Sequence, residues 1–185
     1  MRVILLGAPG SGKGTQAALL ADKLQVPSIS TGEMLRQAVR AGTSLGKKVE
    51  VIMASGELVD DETMAEVVRD RLRQPDAAHG FILDGYPRTQ GQANTLESIL
   101  ADMECNLSAV VHIEVPEAEL VTRTLARKRA DDQKEVIVQR LEVYRHQTQP
   151  LIDHYRSEDL LRVVDGHQTI DKVAVEILHA LEVTA

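Results

Sequence analysis

The sequence predicts one α/β domain built on a parallel sheet, and three observations carry that prediction. Short apolar runs such as Val3-Ile4-Leu5-Leu6 and Phe81-Ile82-Leu83 show no polar alternation, as strands covered on both faces require. Between such runs lie longer stretches in which apolar residues recur at helical spacing. The 185 residues suffice for one substantial core with small insertions and are too few for two large domains.

Residues 2 to 6 form the first strand, and Gly7-Ala8-Pro9-Gly10-Ser11-Gly12-Lys13-Gly14-Thr15 leads from it into a helix reaching about Leu24. Glycines at 7, 10, 12 and 14 remove Cβ atoms, so the backbone can fold into a nest of N–H groups. The helix that follows aims the positive end of its dipole at the same point. The spacing is that of a phosphate cradle, with Lys13 placed to reach the outer phosphates. Gly14 stands where the general motif has a metal-holding Ser or Thr, and the hydroxyl comes one residue later at Thr15, which argues against direct metal ligation by this loop.

Val26-Pro27-Ser28-Ile29 reads as a short second strand, and Ser30 with Glu33 fits a capping box that opens a helix through Thr31 and Arg36. Gly42-Thr43-Ser44 breaks that helix, and a further one from Leu45 to Ala54 ends at Gly56 as its C-cap. Residues 30–59 thus make a small helical insertion that could close over a ligand. Asp60-Asp61-Glu62 opens a helix running to about Arg73, its acids favourable with the helix dipole. The third strand, His79 to Gly85, carries Asp84 to the carboxyl edge of the sheet, where ligands of open parallel sheets sit. There Asp84 suits a role in holding a metal ion's water.

Pro87-Arg88-Thr89 turns into a helix from Gln90 to about Ala101, and Arg88 at its start is an unfavourable cation unless an anion is present. Leu107 to Val115 is the fourth strand, after which Pro116 starts a helix bearing Arg123 and Arg127 at i, i+4. Lys128-Arg129 and Asp131-Asp132 follow, and Arg140, in the next helix, converges on the same region. From Gln133 the positions Val136, Ile137, Leu141, Tyr144 and Thr148 keep helical spacing, and Pro150 kinks or restarts that helix. Leu160 to Val164 is the fifth strand, Asp165-Gly166 turns the chain, and Thr169 to Leu181 is a final amphipathic helix.

A net charge of −7 argues against sequence-independent nucleic-acid binding, which needs many phosphate-neutralising cations. No apolar window approaches a transmembrane span and no leader pattern precedes Gly7, so no membrane partner and a cytoplasmic location are expected. The single cysteine, Cys105, suits a small core or loop position and forms no internal disulfide. The six histidines show no ligand spacing along the sequence.

Taken together, Gly7 to Thr15, Ser30-Thr31-Gly32-Glu33-Met34-Leu35-Arg36, Phe81 to Thr89 and the Arg123 to Asp132 cluster resemble the adenylate kinases nearly from end to end. The resemblance implies a P-loop three-layer sandwich around a five-stranded parallel sheet. It also implies a nucleoside-monophosphate-binding insertion at 30–59 and a short lid at 126–132 within one 1–185 domain. The implied reaction is reversible transfer of the terminal phosphoryl group from MgATP to AMP, giving two ADP, with Mg²⁺ as cofactor.

Carried over position by position, the resemblance places the donor's phosphates on Gly10, Ser11, Gly12, Lys13, Gly14 and Thr15, with Arg127 and Gln168 also on ATP. It places AMP on Thr31, Arg36, Glu57, Leu58, Val59, Gly85, Tyr86, Pro87, Arg88 and Gln92, its adenine near Thr31 and Gln92 and its phosphate near Arg36 and Arg88. Lys13, Arg88, Arg123, Arg129 and Arg140 would stabilise the moving phosphoryl group, Arg129 and Arg140 reaching toward AMP, and Asp84 would hold Mg²⁺ through water. Longer relatives insert residues between the positions matching Arg127 and Arg129, where only Lys128 stands here, and the cysteines of zinc-bearing lids are missing. A monomer is expected, since the sequence offers no apolar interface stripe.

Two other readings stand beside this one. UMP/CMP kinases share the phosphate loop and the short lid but usually have Ala at the position of Thr31 and Asn at that of Thr89. A nucleotide switch without acceptor phosphorylation would have no use for the arginines beyond the loop, and no Asn-Lys-x-Asp base-reading motif occurs.

Overall fold

The computed structural model describes residues 1–127 and 133–182. Its strands are β1 (Arg2–Leu6), β2 (Ser28–Ser30), β3 (Phe81–Asp84), β4 (Ala109–Glu114) and β5 (Leu161–Asp165). The helices are α1 (Lys13–Leu24), α2 (Thr31–Arg40), α3 (Ser44–Ser55), α4 (Asp61–Leu72), α5 (Gln90–Asp102), α6 (Glu117–Arg127), α7 (Lys134–Val143), α8 (Leu151–Ser157) and α9 (Ile170–Ala180).

Period-two alternation along β1 explains why its sequence is apolar throughout. Val3 and Leu5 pack with Ala17 and Leu20 of α1 and Val173 and Ile177 of α9 on one face. Ile4 and Leu6 pack on the other with Val68 and Leu72 of α4, Leu96 and Ile99 of α5, and Leu151 and Tyr155 of α8. The sheet is parallel, with order β2-β3-β1-β4-β5. Strand order therefore reverses at central β1, and the crevice beyond its carboxyl end is the expected ligand position. The α/β three-layer architecture and its five strands match the fold the sequence predicts.

Three local expectations change. β2 starts at Ser28 rather than Val26, because Pro27 has no N–H for the ladder; its carbonyl still accepts from Ile82 N at 2.9 Å. The capping box does not form: Ser30 makes no side-chain cap, its hydroxyl donating to Asp84 Oδ2 at 3.2 Å, while Glu33 pairs with Arg36 and Arg40. The helix expected to run through Thr148 stops at Val143 and widens into a π-helical segment, Tyr144–Thr148, before α8 restarts after Pro150. Pro150 has no N–H to continue the α-helical ladder, and Gln149 N instead reaches back to Tyr144 O at 2.8 Å.

The helical pair α2–α3 leaves the sheet edge after β2 and returns at Val59, which is buried in the main core. Its two helices meet almost backbone to backbone, since a Cβ on Gly46 would lie 2.1 Å from Ala38 O. Gly46→Ala is expected to destabilise the protein by roughly 1–3 kcal/mol by forcing α2 and α3 apart. Urea unfolding checks this, and an unchanged midpoint would refute the close-approach argument.

Candidate active site

A cavity of about 890 Å³ opens over the carboxyl edge of the sheet, lined by the Gly7–Gln16 loop, the end of β3, the α2–α3 pair, α6, α7 and the start of α9. Gly10 and Gly12 hold φ of 89° and 94°, and a Cβ on Gly10 would sit 2.6 Å from both Leu120 O and Thr124 Oγ1. Gly12 caps α1 with no side chain, so the first amides of that helix face the cavity uncapped. Lys13 Nζ donates to Gly7 O at 2.7 Å and Ala8 O at 3.0 Å, which places the ammonium inside the loop's curve. Burial lowers its pKa from 10.5 to about 8, with Asp84 opposing that shift and Arg88 and Arg127 adding to it.

Asp84 ends β3 at the mouth of this loop, its carboxylate held by Ser30. Arg88 lies beyond it: its Nε donates to Gly85 O at 2.9 Å and its backbone N–H to Gln92 Oε1 at 2.8 Å. Burial also pushes the Arg88 guanidinium below the usual arginine value, against the pull of Asp84 and with the push of Arg140 and Arg36. Arg123 pairs with Glu119 at 2.9 Å and donates to Gly166 O at 3.1 Å, spanning from α6 to the turn after β5. Arg36, Arg123, Arg127 and Arg140 all line the same cavity as Lys13 and Arg88. Arg129 falls outside the described residues.

Residues expected at the acceptor end divide into two groups. Thr31, Gly85, Pro87, Gln92, Glu57, Leu58 and Val59 line the cavity. The Thr31 hydroxyl donates to Gly85 O at 2.9 Å, which fixes this buried side chain at the cavity wall. Gln92 already holds Arg88 N and donates to Asp61 Oδ1 at 2.9 Å, so most of its amide is taken up within the protein. Tyr86 departs from expectation: the whole residue is 1% exposed and belongs to the core, and it is not among the residues lining the cavity. Thr89 caps α5 by accepting from Gln92 N and donates to Asp61, a structural task independent of any base. Gln168 lines the donor end, its Nε2 on Glu176 at 2.8 Å and Asp165 O at 3.2 Å.

A family model described as Adenylate kinase matches residues 5–160. A protein named Adenylate kinase from Nocardia farcinica is 50% identical over 181 residues, covering 98% of this chain and 99% of its own. The chain belongs to the adenylate kinase family. Another Adenylate kinase, from Methylobacterium radiotolerans, is 48% identical over 192 residues, covering 98% of this chain and 96% of its own. One from Desulfitobacterium hafniense is 43% identical over 213 residues with 98% of each chain covered, so that longer relative carries residues this adenylate kinase lacks. As an adenylate kinase the chain is a phosphotransferase, moving a phosphoryl group reversibly between ATP and AMP to give ADP. Its family generally uses Mg²⁺ with ATP.

Sequence reasoning missed some groups that this adenylate kinase brings to the cavity. Asp61 reads in the sequence only as a first-turn acid, yet from just behind the cavity wall it gathers Thr89 and the cavity-lining Gln92. Tyr144 and Thr148 were read as apolar-face positions, yet both line the cavity. Away from it, His154 Nε2 lies 3.1 Å from Glu97 Oε1 and 3.5 Å from Glu158 Oε1, a gathering of ligand-type atoms that spacing along the chain did not reveal.

The Lys13 shift fixes a sign. Below about pH 8 the folded loop carries a charged ammonium at a cost; between about pH 8 and 10.5 the unfolded chain holds a proton that the folded loop has released, so this residue's contribution makes stability rise with pH. A nucleotide's phosphates favour the charged form, so binding above about pH 8 draws a proton onto Lys13. Calorimetry of ATP binding in buffers of different ionisation enthalpy is expected to show uptake approaching about one proton there, absent in Lys13→Gln. A buffer-independent enthalpy for the unaltered enzyme would contradict it.

Proposed function

We propose that the donor's phosphates rest on Gly10 to Thr15, that AMP lies between the 30–59 insertion and the Gly85–Gln92 segment, and that the phosphoryl group passes in line between them. One observation carries this reading. Lys13 and Arg88 lie near enough for each to act on Asp84, and Arg88 depresses the Lys13 pKa. Like charges partly withdrawn from water repel strongly, and one carboxylate offsets only part of that repulsion. A phosphoryl group between two nucleotides supplies the missing negative charge and gains the same electrostatic help as its equatorial oxygens develop charge.

The roles then follow from position. Lys13 and the uncapped amides of α1 hold the donor's outer phosphates. Arg36 and Arg88 hold the acceptor phosphate, and Arg123, Arg127 and Arg140 neutralise the transferred group, with Arg129 completing the set. Oxygen groups at Asp84, Ser30 and Thr15 suit a hard cation held mainly through water, and Mg²⁺, when bound, would neutralise charge on the donor's phosphates. Asp84 would then orient that ion's water. Water must be excluded while the group is in transit, so the 30–59 insertion and the 126–132 lid close over both substrates. A cytoplasmic monomer completes the reading, in keeping with a lone cysteine, Cys105, that allows no internal disulfide.

AMP rather than CMP or UMP is favoured by Thr31, because the UMP/CMP kinases usually have Ala at that position; Thr89 carries none of that argument, being used as a helix cap. A coupled assay with AMP, CMP, UMP and GMP at equal concentration is expected to favour AMP, and preference for CMP or UMP would reverse the assignment. Arg88→Ala is expected to lower transfer to AMP by roughly a hundredfold or more while ATP still binds. A nucleotide switch would be indifferent to that change, so unaltered turnover would remove the acceptor site proposed here.

A further inference from the structure

The π-helical segment between α7 and α8 touches the site at both of its ends. At its start, Tyr144 shares a 3.3 Å hydrogen bond with His112 Nε2, on the strand beside the phosphate loop. At its end, Thr148 Oγ1 donates to Arg88 O at 2.9 Å. A π turn is an expensive irregularity that tends to occur where a particular side chain has to be aimed. Here the turn delivers a hydroxyl to the one polar backbone group of Arg88 that the acceptor loop does not itself satisfy.

The structure assigns Thr148 as a positioning residue for Arg88 in phosphoryl transfer. Three hydrogen bonds then fix that arginine: Gln92 holds its N–H, Gly85 O holds its Nε, and Thr148 holds its carbonyl. The first two come from the same loop and helix and would move with it. Among the described residues, Thr148 is the one whose hydrogen bond ties Arg88 to a different part of the chain, the segment leading down from α7 and Arg140. Because Thr148 is 7% exposed, water cannot readily replace its hydroxyl, and the Arg88 carbonyl would be left without a donor. Thr148 therefore sets the register between the acceptor arginine and the arginine-bearing α7, an arrangement whose precision controls in-line transfer.

This inference rests on the acceptor-phosphate role proposed for Arg88, and the test separates the two. Thr148→Val keeps the shape and removes the donor; Thr148→Ser keeps the donor, and Thr148→Ala serves as a second deletion should valine perturb folding. The expected result is an AMP KM raised about tenfold with kcat reduced, an ATP KM within about twofold of the unaltered enzyme, and near-complete recovery in Thr148→Ser. Unchanged AMP kinetics in both deletions would overturn the assignment. So would equal rises in both KM values that serine fails to reverse, since that pattern belongs to a merely structural residue. Arg88→Ala, measured alongside, tests the underlying reading: if it retains transfer to AMP, the acceptor role of Arg88 falls whatever Thr148 does.

Discussion

Mutual repulsion among cations is the constraint around which this adenylate kinase is arranged. Lys13, Arg88, Arg123, Arg127, Arg140 and Arg36 border one cavity, with Asp84 as the carboxylate that acts on both Lys13 and Arg88. Gathering so many like charges at the edge of a low-dielectric core is unfavourable, and the fold tolerates it in part by tethering Lys13, Arg123, Arg36 and Arg88 to the rest of the chain. Lys13 leans on the carbonyls of its own loop, Arg123 on Glu119 and Gly166, Arg36 on Glu33, and Arg88 on Gly85. The tethers are mostly neutral carbonyls, which orient a cation without cancelling its charge. The field at the cleft therefore stays positive and poised for phosphate, although the whole chain carries a net charge of −7.

The sheet makes that convergence possible. Strand order reverses at β1, so the loops after β1 and β3 rise side by side, one bringing the amide nest and the other Asp84 and Arg88. Because β1 is buried on both faces by α1 and α9 on one side and α4, α5 and α8 on the other, it cannot slip by a residue without reversing every one of its side chains. The phosphate loop inherits that rigidity.

Much of this was legible along the chain because the strongest signals are local. The phosphate loop is a single run of glycines and one lysine; the strands are continuous apolar runs; Asp84 and Arg88 stand at the end of one of them. What remained hidden depends on contacts between distant segments. Ser30 looked like a helix cap until Asp84, across the β2–β3 ladder, turned out to take its hydroxyl. Gln92 looked free to read a base, yet Arg88 and Asp61 occupy its amide. Helical periodicity carried Tyr144 and Thr148 into a regular helix, and nothing local marks the widened turn except Pro150, whose missing N–H acts several residues upstream.

The hydrogen bond between Gln139 Nε2 and Glu57 Oε1, 2.6 Å long, links α7 to the segment that ends the α2–α3 pair, where Gly56 also packs against Val136. Both partners are exposed, so water competes for the same groups and the link holds only loosely. It is a latch made of surface groups alone, and it can part and re-form without disturbing the buried core on either side.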